Sequence, residues 1–157
     1  MAPIPSVATT PSLRPRVLVA DDDAEMRRLV AESLRKDDYE VIEEVDGGRM
    51  LVRIAAMYAF GRTVSPFDII VSDIRMPVCS GLDIVKGLRE AHWTTPVILM
   101  TAFGDDETRA RAERLGAMLL DKPFQMGALR VFVRTLLQER AQRGGGFVDG
   151  SSSGSTA

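Results

Sequence analysis

The chain has 157 residues, enough for one domain with a proper core. Its 45% hydrophobic and 27% charged content is that of an ordinary soluble globular protein, and a formal net charge of -2 removes any global pull toward nucleic acid or anionic membrane. A single cysteine, Cys79, excludes an internal disulfide and suits a reducing compartment; no apolar run approaches a bilayer span, and residues 1 to 14 lack the basic and apolar regions of a signal peptide. A cytoplasmic location without membrane contact is the expectation.

Residues 1 to 15 carry prolines at 3, 5, 11 and 15 among Ser, Thr and Ala, and read as a disordered leader. A single domain is expected over 16 to 142. Val17-Leu18-Val19-Ala20 is a short apolar run, read as a strand buried on both faces. Asp21-Asp22-Asp23 ends it, with Asp23 placed to cap a helix and Glu25 favourable in its first turn. Met26, Leu29, Val30 and Leu34 then recur at helical spacing through about Lys36. Residues 39–45 form a second, weaker strand ending at Asp46-Gly47-Gly48. Met50, Leu51, Ile54, Ala55 and Tyr58 give the next helix one apolar face, and Gly61 and Pro66 bracket the connection that follows.

Residues 67–71 are the third strand, with Asp73, Pro77 and Gly81 after it. Leu82, Val85 and Leu88 mark a third helix that stops near His92. Pro96 opens a fourth strand over 97–100, ending at Thr101. Residues 105–115 are helical in propensity but poor in large apolar side chains, and Gly116 is a helix C-terminus signal. A fifth strand over 117–120 precedes Lys122. Met126, Leu129, Phe132, Val133, Leu136 and Leu137 make an amphipathic helix to about Arg140, and 143–157 reads as a flexible Gly/Ser tail with no room for a second domain.

Five buried strands alternating with five helices imply a parallel sheet covered on both sides, with its functional site at the carboxyl ends of the strands. Asp21, Asp22, Asp73, Thr101 and Lys122 all fall there. Two like charges about 4 Å apart repel by roughly 4 kcal/mol at an effective dielectric near 20, so the three carboxylates need a positive charge among them. Oxygen-only ligands with open positions suit Mg²⁺. Asp73 can then attack phosphorus, with Lys122 as a second cation and Thr101 as a hydroxyl donor. Taken singly, Asp21 to Asp23 would be a cap and a solvated turn, and Thr101 and Lys122 would carry no signal. The ordered set at four strand ends gives them meaning. Pro123 restricts the backbone that aims Lys122.

The acidic pair Asp21-Asp22, Ser72-Asp73-Ile74-Arg75-Met76-Pro77 with Gly81, Thr101-Ala102, and Gly116-Ala117 leading to Asp121-Lys122-Pro123-Phe124 resemble a response-regulator receiver domain of bacterial two-component signalling. The resemblance, to a single-domain receiver of the chemotaxis-regulator kind, runs from about 16 to 142. It implies a flavodoxin-like, doubly wound five-stranded parallel sheet of order 2-1-3-4-5. It further implies that Asp73 takes a phosphoryl group from a sensor histidine kinase or a histidine phosphotransfer protein. Mg²⁺ would be held by Asp21, Asp22, Asp73 and the backbone carbonyl of Arg75, and the phosphoryl oxygens by Thr101, Ala102 and Lys122. Thr101 and the residue at Leu119 would act as the switch, changing the face made by the fourth helix, fifth strand and fifth helix. The implied output is an unnamed partner protein, with no direct nucleic-acid binding and with homodimerisation on phosphorylation. Catalysis would be limited to the domain's own phosphorylation and dephosphorylation.

Three points are distinctive. Leu119 stands where the family usually has an aromatic residue. Residues 58 to 66 lengthen the second helix or its exit. Arg75 and Phe103 are both large and flank the path of a hydrolytic water, predicting slow loss of phosphate. His92 is expected as an exposed loop residue and Cys79 as a structural or surface thiol. Arg109, Arg111, Arg114, Arg130 and Arg134 read as an ordinary solvated surface, because acids at 105, 106, 107 and 113 interleave with the first three. Two alternatives fit parts of the pattern. In a haloacid-dehalogenase-type phosphatase Asp21 would be the nucleophile paired with Asp23, but Asp105-Asp106 precedes Lys122 where that family needs an acidic pair after it. The chain would otherwise be a receiver fragment of a larger transcriptional regulator.

Overall fold

The structure is a computed structural model that describes residues 14–59 and 66–144. The elements in order are β1 (Arg16–Ala20), α1 (Ala24–Arg35), β2 (Glu40–Glu44), α2 (Gly47–Ala59), β3 (Ile69–Asp73), α3 (Gly81–Glu90), β4 (Val97–Thr101), α4 (Asp106–Arg114), β5 (Met118–Asp121) and α5 (Met126–Gly144). The strands form one parallel sheet in the order β2-β1-β3-β4-β5. Its strand order reverses between β1 and β3, which opens a crevice at their carboxyl ends. The flavodoxin-like fold implied by the sequence motifs is the fold observed.

Strand alternation sends side chains to two cores. Leu18, Ile70, Val97 and Leu99 pack with Met50 and Ile54 of α2 and with Leu82, Val85 and Leu88 of α3. Val17, Val19, Ile69, Val71, Ile98 and Met100 pack on the opposite face with Val30 and Leu34 of α1 and Leu129 and Val133 of α5. Burial on both faces explains why β1, β3 and β4 read as unbroken apolar runs rather than alternating ones.

Local chemistry fixes the helix ends. Asp23 accepts from the Glu25 and Met26 amides at 3.0 and 3.2 Å, the expected cap of α1. Ser80 and Asp105 cap α3 and α4 in the same way, accepting from the Asp83 and Thr108 amides at 3.2 and 2.8 Å. Gly116 closes α4 with φ +66°, its amide on Glu113 and the Ala117 amide on Ala112. His92 does the same for α3, at φ 62°, and is the exposed loop histidine expected.

Several boundaries differ from expectation. β3 starts two residues later than Phe67 and ends on Asp73 itself, while β4 and β5 end on Thr101 and Asp121. Apolar continuity marks burial, whereas the strand is defined by pairing; Phe67 is buried but lies outside the ladder. Gly47 and Gly48 belong to α2 rather than to the turn before it, and α5 continues to Gly144. Leu51 and Ala55 lie on the exposed side of α2; Met50 and Ile54 form the buried stripe. The expected leader up to 13, the connection at 60–65 and the tail from 145 lie outside the described residues. Among the described residues no helix is long and apolar enough to cross a membrane.

Candidate functional site

At the crevice, Asp21, Asp22 and Asp73 bring carboxylate oxygens within 4.8 Å of one another. Asp21 is fully buried, Asp73 is 8% exposed, and Asp22 faces solvent. The Lys122 Nζ sits between the two buried acids, 3.3 Å from Asp21 Oδ2 and 3.4 Å from Asp73 Oδ1. One positive charge among the three carboxylates is therefore supplied by the chain itself, at Asp21 and Asp73.

The backbone around each group is held independently. The Arg27 guanidinium donates to the Asp21 carbonyl at 2.8 Å, and the Asp23 amide donates to Asp21 Oδ1 at 3.0 Å. The Ser72 hydroxyl donates to the Asp73 carbonyl at 2.9 Å, and the Ile74 amide donates to the Met100 carbonyl at 3.0 Å. The Lys122 amide donates to the Thr101 carbonyl at 2.7 Å, locking the last turn of β5 to β4, and the Lys122–Pro123 bond is cis. Gly81 is required by contact: a Cβ there would lie 2.4 Å from the Asp73 carbonyl oxygen. Its sequence context marked a helix start, and nothing in it signalled this approach.

Burial pushes the Asp73 carboxyl above the usual range; Lys122 opposes this, and the Asp21 and Asp22 charges reinforce it. Burial pulls the Lys122 ammonium down, but Asp73 and Asp21 outweigh it and the net shift is upward. Lys122 is thus held charged, and Asp73 is a carboxylate under electrostatic load.

Thr101 is buried at the end of β4, with Oγ1 accepting from the Phe103 amide at 3.1 Å. Its hydroxyl orders the loop that carries the exposed Ala102 and leads into α4. Leu119 is partly buried on β5, opposite Leu99, and packs on the core that contains α2 and α3. Arg75 lies over the Phe103 ring, its guanidinium carbon 5.1 Å from the centroid, so the two large residues singled out in the sequence meet each other. Asp23 is engaged as a helix cap and Asp21 is sealed from solvent, which leaves the Asp21–Asp23 pair without the arrangement a phosphatase nucleophile needs.

Sequence reasoning missed the anchoring around α4. Arg109 clasps both Asp121 oxygens at 2.8 and 2.6 Å, and a Cβ on Gly104 would meet Asp121 Oδ1 at 2.7 Å. Arg111 pairs with Asp83 at 2.7 Å, and Arg130 pairs with Asp37. The solvated arginine surface is in fact partly a set of clasps between elements. It also missed that Gly47 lies under the loop after β3, where a Cβ would overlap the Cys79 carbonyl.

A family profile described as the response regulator receiver domain matches residues 17–134. The chain is 34% identical over 130 residues to the response regulator protein PilR of Pseudomonas aeruginosa, covering 81% of this chain and 27% of that one. It is 33% identical over 115 residues to the transcriptional regulatory protein PdtaR of Mycobacterium tuberculosis, covering 73% and 52%. It thus spans about a quarter to half of the curated relatives it matches. Among solved structures, the chemotaxis protein CheY4 of Vibrio cholerae superposes with a TM-score of 0.66 at 28% identity, covering 78% of this chain and 98% of that one. A Francisella response regulator receiver domain gives a TM-score of 0.68 at 27% identity, covering 81% and 99%.

Proposed function

The chain belongs to the response regulator receiver family, and from that premise we propose that Asp73 is the carboxylate on which it carries a phosphoryl group. A receiver domain is a phosphoacceptor module of signal transduction. The observation that carries the assignment is the Lys122 ammonium held between Asp21 and Asp73 at 3.3 and 3.4 Å, at the switch point of the sheet. Of the two acids on Lys122, Asp73 alone retains access to solvent.

In the proposed reaction an Asp73 oxygen attacks the phosphorus of a phosphoimidazole presented by a histidine kinase or a phosphotransfer protein. The new P–O bond forms as the P–N bond breaks, and the electron pair stays on the imidazole nitrogen. Lys122 neutralises charge on the incoming phosphoryl oxygens, and Thr101 and the Ala102 amide hold the others. Asp21, Asp22, Asp73 and the Arg75 carbonyl would hold Mg²⁺. The donor set is all hard oxygen, and among the described residues no donor occupies the Arg75 carbonyl. Bound there, the ion supplies further charge neutralisation to the transferring group.

Readout is assigned to Thr101, whose hydroxyl oxygen accepts from the Phe103 amide and whose hydrogen remains to donate to a phosphoryl oxygen, and to Leu119. The face made by α4, β5 and α5 then changes, and with it the affinity for an output partner or for a second copy of the chain. Cytoplasmic location fits these partners. The domain catalyses only its own phosphorylation and dephosphorylation.

Incubation with Mg²⁺ and a small acyl-phosphate donor, followed by peptide mass spectrometry, tests the assignment. One phosphoryl group on the peptide containing Asp73 is expected, absent in Asp73→Asn. Label on Asp21, or unchanged labelling of Asp73→Asn, would overturn it.

A further inference from the structure

At the far pole of the sheet, a cleft of about 500 Å³ lies between the end of α3, the start of β4 and the end of α5. We infer that this cleft binds small phosphate-bearing anions through Arg89, Arg140 and Arg143. The inference is independent of the phosphoacceptor assignment.

Several guanidiniums elsewhere on this protein find carboxylates: Arg27 and Arg35 take Glu43, Arg53 takes Glu44 and Arg130 takes Asp37. The three at the cleft do not. Among the described residues none of them forms an ion pair, although Glu139 also lines the cleft and lies one turn from Arg143. Three guanidiniums face one carboxylate, so the cleft carries net positive charge.

Two of the three are fixed by neutral groups. Arg89 donates from Nε to the Leu115 carbonyl at 2.8 Å and from Nη1 to the Trp93 and Thr95 carbonyls at 2.7 and 3.0 Å. Arg140 donates from Nη1 to the Phe67 and Asp68 carbonyls at 3.1 and 2.6 Å. Carbonyl dipoles orient each fork without cancelling its charge. A guanidinium has five N–H donors, so Arg89 keeps both Nη2 hydrogens and Arg140 keeps Nε and Nη2 for a ligand. Burial at Arg89 is strong enough to lower its pKa, which shows a cation held partly out of water. Pre-oriented forks of this kind match phosphate oxygens two at a time.

The size falls within the range of about 300–1,000 Å³ typical of small-molecule sites. Pro96 and Leu136 supply apolar wall beside the arginines. A phosphate on a small organic body, such as a nucleoside monophosphate, uses both kinds of surface. Pro96 is five residues from Thr101 along β4, about 16 Å at strand rise, so this site is separate from Asp73.

The test is titration of the metal-free full chain with inorganic phosphate, adenosine monophosphate and adenosine, followed by NMR of the arginine Nε–H signals and the Trp93 indole. Adenosine monophosphate is expected to shift the Arg89 and Arg140 signals, inorganic phosphate to shift them more weakly, and adenosine to leave them unmoved. Arg140→Gln with Arg143→Gln is expected to weaken the nucleotide at least about tenfold, and Arg143→Gln alone, at an exposed position, to weaken it by a smaller factor. Asp73→Asn is expected to bind as wild type does. No shift with either phosphate compound, shifts with adenosine alone, or loss of binding in Asp73→Asn would each overturn the inference.

Discussion

A carboxylate that attacks phosphorus must be charged, yet burial and the neighbouring Asp21 and Asp22 work against the charge on Asp73. Its folded pKa is raised, so its contribution to stability is full below the unfolded value of about 3.9 and is lost as pH rises through the folded value. Metal-free Asp73→Asn is expected to melt roughly 3 °C above wild type at neutral pH, with the gap closing toward pH 3.5 in thermal scans. Removing the opposite charge acts in reverse. Lys122→Ala leaves the Asp21 and Asp73 charges without their cation and is expected to cost about 3 kcal/mol in urea unfolding at neutral pH, the low end for a buried pair. The Arg75–Phe103 stack makes a different claim, about rate. If the pair shields Asp73 from a hydrolytic water, a stack worth about 0.5–1 kcal/mol slows that water by about two- to fivefold. Arg75→Ala with Phe103→Ala is expected to shorten phosphate lifetime by that factor, and an unchanged decay in a radiolabel chase would remove the shielding role.

Among the elements, α4 buries little of its own surface. Ala112 is its one fully buried residue, and exposed clasps to Asp121 and Asp83 supply much of the rest of its attachment. Ion pairs at that exposure are screened by solvent and contribute much less than a buried apolar face. Hydrogen exchange is expected to release the amides of 106–114 well before those of α5, whose Leu129 and Val133 are fully buried. Helix α3 has the opposite character. Its first residue is pressed on the Asp73 carbonyl, so Gly81→Ala must displace the helix or the loop carrying Asp73. A loss of about 2 kcal/mol in stability, together with slower acyl-phosphate labelling, is expected.

For the molecule as a whole, the acidic cluster sits at the carboxyl pole of the sheet and the hydrophobic cores lie on its two faces. A ligand for the acidic cluster therefore stabilises everything at once: Mg²⁺ at about a hundredfold over its dissociation constant is expected to add about 2.7 kcal/mol to wild type and much less to Asp73→Asn. The alternation of elements was legible because β1, β3 and β4 are buried on both faces and cannot hide their apolar runs. Asp73 and Lys122 were legible only together, as members of an ordered set of polar groups at four strand ends; neither stands out singly. Other features depend on residues distant in sequence and left no local mark. Gly81 answers to the Asp73 carbonyl, Arg109 to Asp121, and Arg89 to carbonyls on two loops. Leu51 misled because Leu51 and Val52 extend the apolar arc of α2 beyond the Met50 and Ile54 stripe that packs.

The Arg89 bond to the Leu115 carbonyl has a mechanical consequence. It pins the C-terminal end of α4 to the body, so the helix has a fulcrum there, and its other end, held by the exposed Arg109–Asp121 clasp, follows the loop from Thr101. Nine residues make a rod of about 13 Å, and a tilt of about 10° moves that other end by about 2 Å while the pinned end stays still. Distance measurements from spin labels at 107 and at 114 are expected to diverge on phosphorylation, the first changing and the second constant. Arg89→Ala would free the pivot, turning a directed swing into undirected drift.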